Sequence, residues 1–201
     1  MNDHQKALGL EYFTVGYNVA EAGVSIFFGM AAASVALIGF GLDSIVESLS
    51  GLVLIWRLYG HERLTEEEIE AKEQRALKFV AVTFFLLGGY VAYESISTLI
   101  EAHAPDTSIP GIIIATASLI VMPVLAAQKR KIGERIGSRA LIADSKETLA
   151  CAWLSVALFL GLAGNALFGF WQADPIAGLV IVYFLFREGW ELWEGDECDD
   201  D

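Results

Sequence analysis

Long apolar runs alternate with short charged or turn-rich segments along the whole of the 201-residue chain. Each run is close to the length of about 20 residues that an α-helix needs to cross the hydrocarbon core of a bilayer. The pattern predicts six transmembrane helices, at residues 12–29, 35–59, 77–100, 109–127, 140–162 and 175–193. We therefore expect an all-α integral membrane protein, with one six-helix domain over residues 1–193 and an acidic cytosolic tail over residues 194–201.

The composition supports a membrane protein and argues against an enzyme. Hydrophobic residues make up 55% of the chain, charged residues only 19%, and the mean hydropathy is +0.50, which is too apolar for a soluble domain of this length. The N-terminus lacks the pattern of a removable signal peptide, so none is expected. The metalloprotease string His-Glu-x-x-His is absent, and no predicted span contains a histidine that could serve a serine hydrolase as its base.

Basic residues fall on one side of the predicted topology. Most of them precede the first span or lie around the connections between spans two and three and between spans four and five, and Arg187 lies near the end of the sixth span. The alternate connections, at residues 30–34, 101–108 and 169–173, contain no lysine or arginine. By the positive-inside rule, we expect a multi-pass protein of the cell inner membrane with both termini in the cytoplasm.

The net charge of −13 comes largely from a glutamate-rich segment at residues 65–70, predicted to be a loop, and from the tail. Both segments are expected to be solvated, with a weak cytosolic cation collector as the alternative. Nucleic acid is not an expected partner, because it requires clustered basic residues. Cys151 lies in the fifth span and Cys198 in the tail, so no disulfide is expected. Of the three histidines, His4, His61 and His103, only His61 is a candidate for a minor metal contact.

Two predicted spans each carry a pair of polar residues four positions apart. Asp43 and Glu47 lie on one face of the second span, and Glu147 and Cys151 lie on one face of the fifth. Each charge at the centre of a spanning helix opposes insertion by roughly 2.5 to 3.5 kcal/mol, so a compensating partner is expected. Three carboxylates and one thiol are a suitable set of ligands for a divalent metal ion such as Zn²⁺.

The alternative to a metal site is a set of polar contacts between helices, with the acids paired to Lys146, to Arg139 or to one another through shared protons. A single lysine within the spans cannot neutralise five acids, which favours the metal site. Asp144, three residues before Glu147, and Glu21 in the first span are secondary candidates for metal contact.

Three segments of the chain resemble the membrane domain of the cation diffusion facilitator family. They are "GLDSIVESLSG" in the second span, "LIADSKETLAC" in the fifth and "ADPIAGLVI" at the start of the sixth. The resemblance implies a six-helix exporter of Zn²⁺ and related metals whose second and fifth helices each offer two ligands four residues apart. The matching positions are Asp43 and Glu47, then Glu147 and Cys151. Family members typically also have a dimerising cytosolic domain after the sixth helix, so the resemblance implies a short form lacking this domain and, as a partner, a second copy in a homodimer.

The ligand types at these positions depart from the family's usual aspartate and histidine. Glutamate stands at 47 and at 147, and cysteine stands at 151. Additional oxygen ligands favour Mn²⁺ or Fe²⁺, whereas a thiolate favours Zn²⁺ or Cd²⁺. Zn²⁺ is the favoured substrate, with Cd²⁺, Fe²⁺, Mn²⁺ and Co²⁺ as alternatives, and no prosthetic group is expected.

The expected function is metal/proton antiport. A metal ion requires ionised ligands, so metal and protons compete for the same carboxylates. Exposing a fixed site near the middle of the membrane alternately to its two sides turns that competition into exchange. The alternative is a membrane protein that binds metal or acts as a scaffold without transporting it.

Overall fold

A computed structural model describes residues 3–59, 66–102 and 104–194, and these residues form six α-helices without a strand. The prediction of an all-α fold with six helices is confirmed. In chain order the helices are α1 (Asp3–Ala32), α2 (Val35–Tyr59), α3 (Glu66–Glu101), α4 (Ile109–Ile136), α5 (Arg139–Phe168) and α6 (Ala173–Glu194). His61, His103, Cys198 and the tail from residue 195 onward lie outside the described residues.

The prediction that the glutamate-rich segment forms a loop is wrong for residues 66–70, which the structure describes. α3 begins at Glu66, so residues 66–70 form its first turns. Negative side chains at the N-terminal end of a helix are stabilised by the unpaired N–H groups and by the positive end of the helix dipole. The acidic run therefore starts a helix rather than interrupting one.

The helices have the surface that a bilayer requires. By length and apolar composition, three segments could each cross a membrane, namely Val35–Leu58, Ile109–Ile136 and Ala140–Phe168. Large apolar side chains cover the outside of the bundle, as at Phe27, Leu86, Ile113, Leu160 and Tyr183. An apolar exterior around a polar interior suits a lipid environment, in which exposed polar groups would find no partners.

α2 lies at the centre of the bundle, where it contacts α1, α3, α5 and α6. Three helix pairs pack most extensively: α1 with α2, α4 with α5, and α3 with α6. Contacts of α1 with α4 and of α2 with α5 join the first two pairs into a four-helix group. The α3–α6 pair packs against this group through α2 and α5, so that polar residues on α2 and α5 face the interior.

The two ends of the bundle differ in charge and in how their connections are held. Lys6, Arg57 and Arg130 lie at one end, which we call the basic end. The other end, which we call the opposite end, holds the connections α1–α2, α3–α4 and α5–α6. There the Asp106 backbone N–H donates to the Ala32 carbonyl at 2.8 Å, and the Asn165 side-chain amide donates to the Pro105 carbonyl at 2.9 Å. These bonds hold the three connections together.

Asp174 joins two helices at the opposite end. A sequence Asp-Pro at the start of the sixth span predicts that Asp174 caps its own helix, but this prediction is wrong, because α6 begins one residue earlier. The buried Asp174 carboxylate instead accepts hydrogen bonds from the Ser34 hydroxyl and from the backbone N–H groups of Val35 (3.0 Å) and Ala36 (3.5 Å). It therefore caps the N-terminus of α2 from a neighbouring helix.

Candidate metal site

α2 carries two carboxylates into the interior of the bundle. Asp43 and Glu47 lie one helical turn apart, and each is only 5% exposed. α2 contacts four other helices, so its polar face meets protein rather than lipid. Asp43 and Glu47 therefore share one buried face of α2, as their four-residue spacing predicts.

α5 brings a thiol to the same place. Cys151 is 2% exposed, and ligand atoms of Asp43, Glu47 and Cys151 all lie within 4.8 Å of one another. Zn²⁺ binds oxygen at about 2.0–2.2 Å and sulfur at about 2.3 Å, so small side-chain movements would bring all three atoms onto one ion. We call these three residues the central cluster.

Both carboxylate oxygens of Glu47 are buried, and within the described part of the chain neither has a hydrogen-bond partner of normal geometry. A buried polar atom without a partner costs free energy, and the cost is larger for a charged group than for a neutral one. A cation or a proton in the central cluster would remove this cost. The central cluster thus has the composition, the geometry and the unsatisfied oxygens of a cation site.

Glu147, the fourth predicted ligand, lies apart from the central cluster. Its Oε2 accepts a hydrogen bond from the Ser50 hydroxyl at 2.8 Å, and it is not among the residues whose ligand atoms come together. It precedes Cys151 by one turn on α5, so it lies on the same helix face. For Glu147 to join the other three residues, its carboxylate would have to exchange the Ser50 hydroxyl for the metal.

The secondary candidates have other partners or lie outside the described residues. Glu21 accepts hydrogen bonds from the Ser44 hydroxyl at 2.7 Å and from the Ser118 hydroxyl. Asp144 forms an ion pair with Lys129, and His61 is not described. The structure therefore brings neither Glu21 nor Asp144 into the central cluster.

The lysine inside the bundle is not the predicted one. Lys146 is exposed, whereas Lys129 is fully buried. The fourth span was predicted to end at residue 127, and Lys129 begins the basic run Lys129-Arg130-Lys131, which is typical of a cytosolic loop. In the structure α4 continues to Ile136, so the first residue of that run turns inward while the next two are exposed.

α1 contributes a stripe of buried polar side chains that faces the other helices. Its members recur at intervals of three and four residues, the spacing of one helix face: Glu11, Thr14, Asn18, Glu21 and Ser25. Neither amide atom of Asn18 has a hydrogen-bond partner among the residues that the structure describes. The face of α1 that packs against the other helices is therefore polar.

A cavity of about 310 Å³ opens at the opposite end, between α2 and α3. Its lining includes Ile38, Tyr90, Glu94, Glu101 and Pro105. Glu94 and Glu101 therefore give the lining of this cavity two acidic side chains.

Comparison with known proteins places the chain beside membrane transporters. Residues 13–194 match the model of the cation efflux transmembrane domain. An uncharacterized transporter of Synechocystis is 25% identical over 191 residues, which are 89% of this chain and 59% of the relative. Transmembrane protein 163 of Xenopus laevis is 23% identical over 95% of this chain and 67% of its own length. A probable cation efflux system protein of Mycobacterium tuberculosis is 33% identical over 113 residues, 54% of this chain and 32% of that protein. The chain spans about three fifths of the length of the first of these relatives.

Proposed function

Because the chain belongs to the cation efflux family, defined by its transmembrane domain, we propose that it exports a divalent metal cation, bound between α2 and α5. The observation that carries this proposal is the central cluster, in which Asp43, Glu47 and Cys151 bring their ligand atoms within 4.8 Å. Family membership supports transport rather than catalysis. Glu147 is the proposed fourth ligand, one turn from Cys151 on the same face of α5.

Zn²⁺ is the proposed substrate. Among first-row dications it accepts thiolate and carboxylate ligands together in a four-coordinate site, whereas Mn²⁺ prefers a larger set of oxygens. Cd²⁺ shares the preference for sulfur and is the nearest competitor. The thiol of Cys151 is thus the residue that would set the metal preference.

The proposed mechanism is exchange of metal for protons. Metal binding requires Asp43, Glu47 and Glu147 to be ionised and the Cys151 thiol to lose its proton. In the metal-free site, the carboxylates of Asp43 and Glu47 repel one another in a buried space when both are ionised, so protons take the place of the metal. Metal released at one side of the membrane is then replaced by protons from that side. Rocking of the helices around a fixed site would expose that site to one side of the membrane for metal binding and to the other side for metal release.

The basic end is the proposed cytoplasmic side of an inner membrane, with both termini there. Lys6, Arg57, Arg130, Lys131 and Arg135 all lie at that end, and cytoplasmic connections carry an excess of basic residues. A homodimer is the proposed assembly.

Metal flux and proton flux measured together test the function. In proteoliposomes with a lumenal pH dye, Zn²⁺ uptake should alkalinise the lumen, because protons leave as the metal enters. Glu47→Gln should lose both signals, and the exposed Glu134→Gln should keep both. Zn²⁺ flux without proton movement at any pH would refute antiport, and saturable binding without flux would favour the non-transporting alternative.

Single cysteines at the two ends test the topology. In a Cys198→Ser background, a membrane-impermeant thiol reagent should label Asp106→Cys from outside intact cells. It should label Lys131→Cys, at an exposed position of the basic end, only after permeabilisation. The native Cys151 is buried and serves as the unlabelled baseline. Labelling of both positions from the outside would overturn the six-span topology.

A further inference from the structure

Lys129 lies at the centre of a second buried cluster, formed by α1, α4 and α5. Its ammonium donates to Glu11 Oε2 at 3.2 Å, to Asp144 Oδ2 and to Thr148 Oγ1 at 3.3 Å. Lys129, Glu11 and Thr148 are almost fully buried, and Asp144 is 5% exposed. All three N–H groups of the ammonium therefore have a partner inside the bundle.

The cluster contains two carboxyl groups and one ammonium. The ammonium contacts one oxygen of each carboxyl group, and the second oxygen of each, Glu11 Oε1 and Asp144 Oδ1, has no hydrogen-bond partner in the described helices and connections. Ionised carboxylates without full compensation are costly in a buried site. A dication between the same two carboxylates would balance their charge, and the two unpartnered oxygens would allow each carboxylate to bind it through both atoms.

The cluster lies between the basic end and the central cluster. With a rise of 1.5 Å per residue, Asp144, Lys129 and Glu11 lie about 8, 10 and 12 Å along their helices from the basic end, whereas Glu47 and Cys151 lie about 18 Å from it. Glu47 also interacts electrostatically with both Lys129 and Asp144. A cation that enters from the basic end would therefore meet Glu11 and Asp144 first.

We propose that Glu11 and Asp144 form an entry site for the transported divalent cation, occupied in the structure by the ammonium of Lys129. The inference rests on the proposed transport function. An arriving dication displaces the ammonium and binds the two carboxylates, with the Thr148 hydroxyl as a neutral ligand. Return of the ammonium then expels the ion toward Glu47. Lys129 thus keeps the entry site filled when no metal is present and prevents metal from remaining there.

Removing the ammonium should convert the transient site into a stable one. We expect purified Lys129→Met to bind one Zn²⁺ per chain more than the native protein in equilibrium dialysis. In an Asp43→Asn/Glu47→Gln background, which lacks the central cluster, Lys129→Met should still bind that one ion. Adding Glu11→Gln and Asp144→Asn should abolish it. Absence of the additional ion in Lys129→Met would overturn the proposal, and absence of binding in the native protein would separately refute the central metal site.

A second variant keeps the proposal testable if Lys129→Met does not fold. Glu11→Gln retains the Lys129–Asp144 ion pair but removes one of the two charged ligands of the entry site. We expect the KM for Zn²⁺ transport to rise about tenfold, while equilibrium Zn²⁺ affinity at the central cluster is unchanged. Glu134→Gln, an exposed substitution near the same end, is the matched control. An unchanged KM in Glu11→Gln would overturn the entry site.

Discussion

Replacing Asp43 with alanine is expected to abolish saturable Zn²⁺ binding, with a loss of affinity of at least about 100-fold. The loss of an outer partner of a metal ligand typically costs about 10- to 100-fold, and Asp43 is proposed to touch the ion itself. Its removal leaves Glu47 and Cys151 of the central cluster, with Glu147 as the proposed third ligand. The variant loses one of its anionic ligands and leaves one position of the four-coordinate Zn²⁺ site to water.

Isothermal titration of the detergent-purified protein would measure this affinity, with Glu134→Gln as a control that removes a carboxylate from the surface. Glu147→Ala is expected to lose binding as well, because Glu147 is the proposed fourth ligand. If Glu147→Ala retained native affinity while Asp43→Ala lost it, the site would consist of the central cluster without Glu147. If both variants bound Zn²⁺ normally, the metal site would have to lie elsewhere in the protein.

Replacing Asp174 with alanine should lower the free energy of unfolding by about 2–4 kcal/mol. Loss of an N-terminal cap costs about 0.5–2 kcal/mol, and hydrogen bonds to a charged group contribute about 1.5–3 kcal/mol. The variant leaves the N–H groups of Val35 and Ala36 without this acceptor, in a part of the protein where Ser34 and Val35 are buried.

Reversible unfolding in mixed detergent micelles, followed by helical circular dichroism, would measure the change. Asp174→Asn retains an acceptor oxygen and should lose less than half as much stability as Asp174→Ala. The exposed Asp106→Asn should be close to neutral. A native unfolding curve for Asp174→Ala would show that the carboxylate contributes nothing to the cap of α2.

The six helices and the α2 half of the candidate site, Asp43 and Glu47, can be predicted from local periodicity in the sequence. Apolar runs of spanning length predict all six helices, and the four-residue spacing of Asp43 and Glu47 predicts that they share a face. Both features depend on one helix at a time, so they can be deduced from the sequence around them. The same spacing argument identifies Cys151 but cannot determine how α5 is rotated against α2.

Features that depend on two or three helices could not be predicted in this way. Lys129 begins a basic run that is typical of a loop, and only the contacts with α1 and α5 show why its ammonium is buried. Asp174 has the sequence context of a cap for its own helix, and the partner that it actually caps is 139 residues away. In both cases the nearest sequence neighbours suggest a local role, whereas the charge is compensated by a distant part of the chain.

The bond between the start of α6 and the start of α2 has a mechanical consequence. Because Asp174 holds the first turn of α2, a displacement of α2 transmits force to α6, which in turn packs along α3. The two carboxylates of the central cluster are carried by α2. If an ion binds between them as proposed, we therefore expect a shift of α2 on binding to be passed to the lipid-facing surface of the α3–α6 pair.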